Sequence, residues 1–239
     1  MNTIVLVHGA WADVSAWDAV IPMLKAGGHE VIAVNLPGHG KENTAFGSIQ
    51  LQTYVDVVKK AIGSKKDIIL VGHSMAGLII SEVSEQIPEQ IKELVFLAAY
   101  LPRNGESLFS LAQQDPDSHV GKSLTLDEKA LTAVIAKEAI PDIFAADAPL
   151  PVQDYLKNNT KAEPLIPLNT PVVLTEANFG KVNKTYIFTA NDHTVGKTLQ
   201  LNMVRNSTNV SKTYSLPSSH TPFISMPAVL AAIILQEAN

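Results

Sequence analysis

The chain of 239 residues contains no cysteine, and that one absence excludes disulfides, thiolate nucleophiles and cysteine-ligated zinc together. Positive charge is also scarce. Eighteen Lys and Arg stand against 23 Asp and Glu, a formal net charge of −5, and no basic run is longer than Lys-Lys, so nothing offers a footprint for nucleic acid or an anionic membrane. Long apolar runs are missing too: the segment Ala228 to Leu235 near the end falls far short of the roughly 20 residues a membrane span requires. The amino terminus, Met1 to His8, has no basic n-region and enters a strand-like run, so it does not read as a signal peptide. These absences leave, as the expectation, a soluble cytoplasmic protein that works on small molecules, without nucleic-acid or membrane partners.

What is present is 46% hydrophobic and 17% charged residues, ample for a packed core in one large α/β domain or two small ones. The pattern is organised around Asp67 to Gly77. Ile68 to Val71 suits a strand buried on both faces, and Leu78, Ile79, Ile80 and Val83 suit a helix that starts at once. A turn through Gly72-His73-Ser74-Met75-Ala76 would set Ser74 at its apex, hydroxyl exposed above the sheet and neighbouring N–H groups near a helix N-terminus. That is how a nucleophile is presented. A plain Gly-Ser turn into a core helix has the same pattern, so the decision rests on whether a base and oxyanion donors exist elsewhere.

Residues 3 to 7 predict a buried strand, followed by the loop His8-Gly9-Ala10-Trp11. Trp17, Val20, Ile21 and Leu24 fall at helical spacing, with a kink expected at Pro22 and an end at Gly27-Gly28. A strand over Glu30 to Val34 runs into the loop Asn35 to Gly40, and Leu51, Tyr54, Val55, Val58 and Ile62 predict an amphipathic helix closed by Gly63. Pro88 stops the helix after Ser74, and Ile91 to Ala99 gives a fourth strand. Alternation of this kind implies a parallel sheet with helices on both faces and ligands beyond the carboxyl ends of the strands.

From 101 to 180 the character changes. Eight of the fourteen prolines lie here, and helical periodicity survives mainly over Leu124 to Ile140. The segment reads as a cap inserted over the sheet edge, with Phe109, Phe144, Tyr155 and Phe179 available to line a pocket. Residues 1–100 and 181–239 are then the core. In its second part, Thr185 to Thr189 is a strand, Val195, Leu199, Met203 and Val204 mark a helix, and Lys212 to Leu216 is the last strand. A closing helix starts at Pro227, with Val229, Ala232 and Ile233 on one face.

Serine hydrolysis needs a histidine base within reach of the hydroxyl and a carboxylate to hold that base in the right tautomer. Asp192 and His220 each follow a late strand, in the chain order Ser, Asp, His that the strand-turn-helix version of the triad uses. The other histidines fit less well. His73 points where the turn dictates, His8 and His39 are candidate pocket walls, His193 merely neighbours the carboxylate, and His119 and His29 lack a strand-end setting. For the oxyanion, the N–H of Met75 and that of Ala10 in the first loop are the candidate donors.

These residues resemble the α/β-hydrolase superfamily, and more narrowly its cap-bearing branch of plant methyl esterases, hydroxynitrile lyases and related bacterial esterases. The similarity is carried by Val5-Leu-Val-His-Gly-Ala-Trp11, Leu36-Pro-Gly-His-Gly40, Val71-Gly-His-Ser-Met-Ala-Gly77, Ala98-Ala-Tyr-Leu-Pro102, Thr189-Ala-Asn-Asp192 and Ser219-His-Thr-Pro-Phe223. The resemblance implies an α/β-hydrolase fold with a mostly parallel six-stranded sheet, Ser74 as nucleophile, His220 as base, Asp192 as orienting acid, and Ala10 and Met75 as oxyanion donors. Gly9, Trp11, His73 and Thr221 are expected around the substrate. Two departures stand out: Ala76 replaces the second glycine of the turn, and the chain starts at what would be the superfamily's third strand.

Lyases similar in fold use a threonine in the first loop and a lysine after the catalytic histidine, where this chain has Gly9 and Thr221. The expectation is therefore a serine carboxylesterase for small, fairly apolar esters, with no metal or organic cofactor. A hydroxynitrile lyase and a hydrolase-like small-ligand receptor are the rival readings, and a homodimer is the one protein partner left open.

Overall fold

The computed structural model describes all 239 residues. Its first part alternates strand and helix: β1 (Thr3–Val7), α1 (Ile21–Ala26), β2 (Glu30–Val34), α2 (Leu51–Ile62), β3 (Ile68–His73), α3 (Ala76–Gln86) and β4 (Ile91–Leu97). Gly63, at φ 60°, closes α2, a left-handed position that glycine takes without steric cost. Pro22 does not kink a long helix. It sits in the first turn of α1, where a missing N–H is harmless, and Val14–Trp17 instead forms a separate 3-10 turn capped by Asp13, which accepts from the Ser15 amide at 2.8 Å.

The inserted segment contains α4 (Leu108–Ala112), β5 (Leu124–Asp127), β6 (Thr132–Ile135), α5 (Ile140–Ala145), α6 (Leu150–Asn159), β7 (Glu163–Pro164) and α7 (Leu165–Asn169). The helix expected over 124 to 140 is not there. Thr125, Thr132, Val134 and Ile135 are β-branched and suit extended backbone, and Asp127 turns the chain by accepting from the Lys129 and Ala130 amides at 2.9 Å each. The result is an antiparallel sheet ordered β5-β6-β7. Beneath it, Ile135, Ile140, Ile143 and Phe144 form a small core of their own, whereas Leu101, Leu108, Leu111, Leu168 and Val172 are buried in the main one.

The chain then returns through β8 (Lys184–Thr189), α8 (Lys197–Arg205), β9 (Val210–Leu216), α9 (Pro222–Ser225) and α10 (Pro227–Ala238). Six strands make one sheet in the order β2-β1-β3-β4-β8-β9, every pairing parallel. One row across it runs Leu6, Val71, Val95, Thr185, Lys212. Because side chains alternate along a strand, Ile4, Leu6, Ile69, Val71, Val95 and Leu97 face α1 and α10, while Val5, Val7, Leu70, Leu94 and Phe96 face α2, α3 and α8. Each such side chain, fully buried, contributes about 1.5–3 kcal/mol of transfer free energy. α10 buries Leu230, Ala231, Ile234 and Ala238 and leaves Val229 exposed, so the face expected from its pattern is the wrong one; a helix apolar nearly all round gives periodicity little to choose between. No helix is long and apolar enough to cross a membrane.

Candidate active site

All the loops that matter leave the carboxyl edge of the sheet. Between β3 and α3 the backbone of Ser74 stands at φ 56°, a left-handed conformation that costs a non-glycine residue about 1–2 kcal/mol. Its neighbours hold it there. The Ser74 amide donates to the Leu97 carbonyl at 3.2 Å, and the Ser74 carbonyl accepts from the Gly77 and Tyr100 amides at 3.0 and 3.1 Å. The turn is so close to the chain beyond β4 that a Cβ on Gly77 would lie 1.9 Å from the Tyr100 oxygen. Ala76 is fully buried in the same turn. On the other side, a Cβ on Gly9 would lie 2.8 Å from the Cβ of Ser74, so only glycine lets the loop after β1 come this near.

His220 follows β9 and is buried. Its Nδ1 is 2.8 Å from Oδ2 of Asp192, which follows β8. The carboxylate is fixed in turn by the Thr189 hydroxyl at 2.6 Å and by the Thr194 and Val195 amides at 2.7 and 2.9 Å. With Nδ1 committed, Nε2 is the free nitrogen of His220. It makes no hydrogen bond to the Ser74 hydroxyl in this structure, and such bonds commonly tighten only with substrate in place. His73 packs against His220: its Nε2 lies 2.9 Å from the His220 carbonyl and so must donate, with the two rings 4.5 Å apart between centroids. Burial, and then the neighbouring His220, push His73 well below the ordinary histidine range, which keeps it a neutral donor.

The amides of Ala10 and Met75 donate to no protein acceptor. Beside Ala10 opens a cleft of about 400 Å³ between the first loop, α5, α6 and the start of α9. Trp11, His73 and Thr221 line it, as does His220, with Phe144, Val152 and Leu156 as apolar wall. Gly9 does not; its place is the close approach to Ser74. Tyr155 lines the cleft as expected of it, but Phe179 is buried in the main core and Phe109 packs against that core.

The sequence reading missed Glu163. This carboxylate, contributed by β7, has no solvent exposure, yet its Oε2 accepts from the Trp11 amide at 2.7 Å and lies 2.9 Å from Nε2 of His39. The other nitrogen of His39 faces the Pro37 carbonyl at 3.0 Å, so both must donate and the ring is an imidazolium. Burial alone would lower its pKa; the charge and hydrogen bond of Glu163 outweigh burial and raise it. His8, edge-on to His39, is the neutral partner: Nε2 accepts from the Leu36 amide, and burial followed by the charge of His39 pushes it down to about 3. Trp11 itself stands at φ 56° and also donates from its indole to the Ala133 carbonyl at 3.0 Å. The only local clue to Glu163 is a charge set among apolar residues and prolines, Ala162-Glu163-Pro164-Leu165-Ile166-Pro167.

Comparison with known proteins places this geometry among relatives. The family model described as "Alpha/beta hydrolase family" matches residues 4–233. A chloroplastic Arabidopsis thaliana protein named methylesterase 11 is 32% identical over all of this chain, which spans 64% of that relative's length. The pyrethroid hydrolase of Sphingobium wenxiniae is 28% identical over 100% of this chain and 88% of its own, and methylesterase 7 of Arabidopsis thaliana is 29% identical over 98% and 94%. Among solved structures, a pyrethroid hydrolase from Sphingobium faniae JZ-2 superposes with a TM-score of 0.88 at 24% identity, covering 99% of this chain and 97% of that one. Polyneuridine aldehyde esterase superposes at 0.87 with 19% identity and full coverage of both chains.

Proposed function

The chain belongs to the α/β-hydrolase family, and on that premise we propose that it is a serine carboxylesterase acting on small, fairly apolar carboxylic esters. The observation that carries the reading is the bond from His220 to Asp192 at the same rim as the strained Ser74 turn. The names of the relatives, methylesterase and pyrethroid hydrolase, support ester cleavage as the reaction class.

Asp192 fixes Nδ1–H of His220 and so turns Nε2 toward the nucleophile. As an ester enters, Nε2 takes the proton of Ser74 while Oγ attacks the carbonyl carbon. The oxyanion that forms faces the unclaimed amides of Ala10 and Met75, each such donor being worth about 3 kcal/mol in the transition state. The C–O bond breaks, the leaving alcohol takes the proton from Nε2, and the acyl group stays on Ser74. Water then gives a proton to His220 and attacks the acyl-enzyme; the bond from the acyl carbon to Ser74 Oγ breaks as His220 returns the proton to Oγ, releasing the carboxylic acid and restoring the serine. Phe144, Val152 and Leu156 supply the apolar contact for the substrate's hydrocarbon part. Cyanohydrin cleavage is disfavoured: where the lyases carry a lysine, the Thr221 hydroxyl donates to the Phe144 carbonyl at 2.8 Å and has no proton to spare for a departing anion.

Ser74→Ala tests the reading. Hydrolysis of p-nitrophenyl butyrate should fall by about three orders of magnitude or more, and a fluorophosphonate should label wild type at Ser74 but not the variant. Undiminished turnover in the variant overturns the assignment, and rapid labelling without ester turnover replaces the enzyme by a ligand-binding receptor.

A further inference from the structure

A second cluster of polar side chains lies away from the cleft. His119 and Asp142, the latter in the first turn of α5, come from the inserted segment; His193 comes from the loop after β8 and follows Asp192 directly. Nδ1 of His119 is 2.7 Å from Oδ2 of Asp142, and Nδ1 of His193 is 3.0 Å from Oδ1. The two imidazoles stack with centroids 4.2 Å apart, and one donor atom from each of the three residues lies within 4.8 Å of the others. The scaffold under them is fastened separately. The His119 amide donates to the His193 carbonyl at 2.8 Å, the Ser118 hydroxyl to the Thr194 carbonyl at 2.8 Å, and the Thr194 hydroxyl to the Ile143 carbonyl at 2.7 Å.

Two imidazole nitrogens and one carboxylate are the donor set of a borderline divalent ion, which binds nitrogen and oxygen at about 2.0–2.2 Å and so wants ligand atoms about 3.3 Å from one another. The three donors lie within 4.8 Å of one another, with the two imidazole nitrogens 2.7 and 3.0 Å from the carboxylate. Room for the ion comes from Asp142, half exposed and on a short helix, whose side chain is free to swing outward. In the structure both Nδ1 atoms face acceptors, that of His193 also the Asp142 carbonyl at 3.2 Å, so each donates; neither Nε2 meets a protein group, so on metal binding each proton can pass to Nε2 and leave the lone pair of Nδ1 for the ion. Water completes the coordination on the open side.

We propose that His119, Asp142 and His193 bind one divalent cation of the Zn²⁺ class, fastening the inserted segment to the loop that holds Asp192. The ion does no chemistry on substrate. It ties down the stretch whose Thr194 and Val195 amides grip the Asp192 carboxylate, and thereby resists separation of the segment from the sheet edge. The site stands whether or not the esterase reading does.

The test uses the untagged full-length protein, stripped with chelator and titrated with Co²⁺ and then Zn²⁺. One equivalent of Co²⁺ should give a visible d–d band that one equivalent of Zn²⁺ abolishes, and Zn²⁺ should raise the melting midpoint. His119→Ala and His193→Ala should each weaken binding at least about tenfold and remove the thermal shift, the loss expected when one ligand of a few is deleted. Metal-free His119→Ala should keep its wild-type circular dichroism and ester turnover. Absence of saturable binding below about 100 µM overturns the site, since ligand sets of this kind bind more tightly. Equal binding in wild type and both variants also overturns it, because the ion would then sit on other histidines.

Discussion

Trp11 and Glu163, 152 positions apart, are joined by a 2.7 Å hydrogen bond from the Trp11 amide to a carboxylate with no exposure to solvent. The bond holds a non-glycine residue in left-handed backbone directly after Ala10, whose amide is one of the two proposed oxyanion donors. Through Glu163, and through the Ala133 carbonyl that accepts from the Trp11 indole, the segment between β4 and β8 holds the first loop in place.

Glu163→Gln keeps the size and one acceptor oxygen but leaves the His39 imidazolium without a counter-charge. Breaking a buried pair in this way costs about 3–5 kcal/mol. Urea denaturation should show a loss of that order, and steady-state kinetics should show kcat falling about tenfold or more with KM changed less, because a misaimed amide is felt in the transition state.

The same pair sets a pH dependence. His39 has a folded pKa above its unfolded one, so the folded state binds the proton more tightly and the gain is complete below the unfolded value of about 6.5. It is lost as pH rises through the raised folded value. The melting midpoint of wild type should accordingly fall from pH 6 into the alkaline range, and the Glu163→Gln protein should show a flatter profile. An equal slope in both would mean that His39 is not the group responsible.

Gly9→Ala puts a methyl where the Cβ of Ser74 is 2.8 Å away, and His73 Nδ1 3.0 Å. The loop must then retreat, carrying the Ala10 amide with it. Misplacement of about 1 Å costs on the order of 100-fold in rate, so kcat and the rate of fluorophosphonate labelling should drop together by about that factor. Thermal unfolding should also move down, since overpacking a buried position of this kind costs about 1–3 kcal/mol.

Leu156→Trp tests the cleft. Leu156 lies on α6, which contributes no fully buried residue, so the larger ring should be accepted without unfolding the molecule. It should shorten the space for the acyl chain. Each methylene excluded is worth about 1–3 kcal/mol, so kcat/KM for hexanoyl esters should fall at least tenfold while acetyl esters change little; equal effects on both would show that this wall does not meet the acyl group.

Local patterns were what a linear reading of the sequence conveyed well. Ile68 to Val71 followed by Gly72 and Ser74 is a strand and a turn within a few residues, and Asp192 and His220 could be placed because each directly follows a strand. What stayed hidden depends on distant partners. Nothing near His39 announces an acid 124 positions away, and nothing near Ser107 to Ala112 says that this stretch packs in the main core. The hairpin at 124–135 has an apolar spacing that suits either period, and only the turn made by Asp127 decides for strands.

The hydrophobic residues of the inserted segment are divided unequally between two interiors. Leu168, Val172 and Leu174 lean on the same interior as the sheet, so trimming them would loosen the whole molecule. The outer helix α6 carries no such duty. Variation in which esters are accepted can therefore accumulate on one exposed helix while the machinery below it is left alone, and a comparison of natural homologues should find diversity concentrated there.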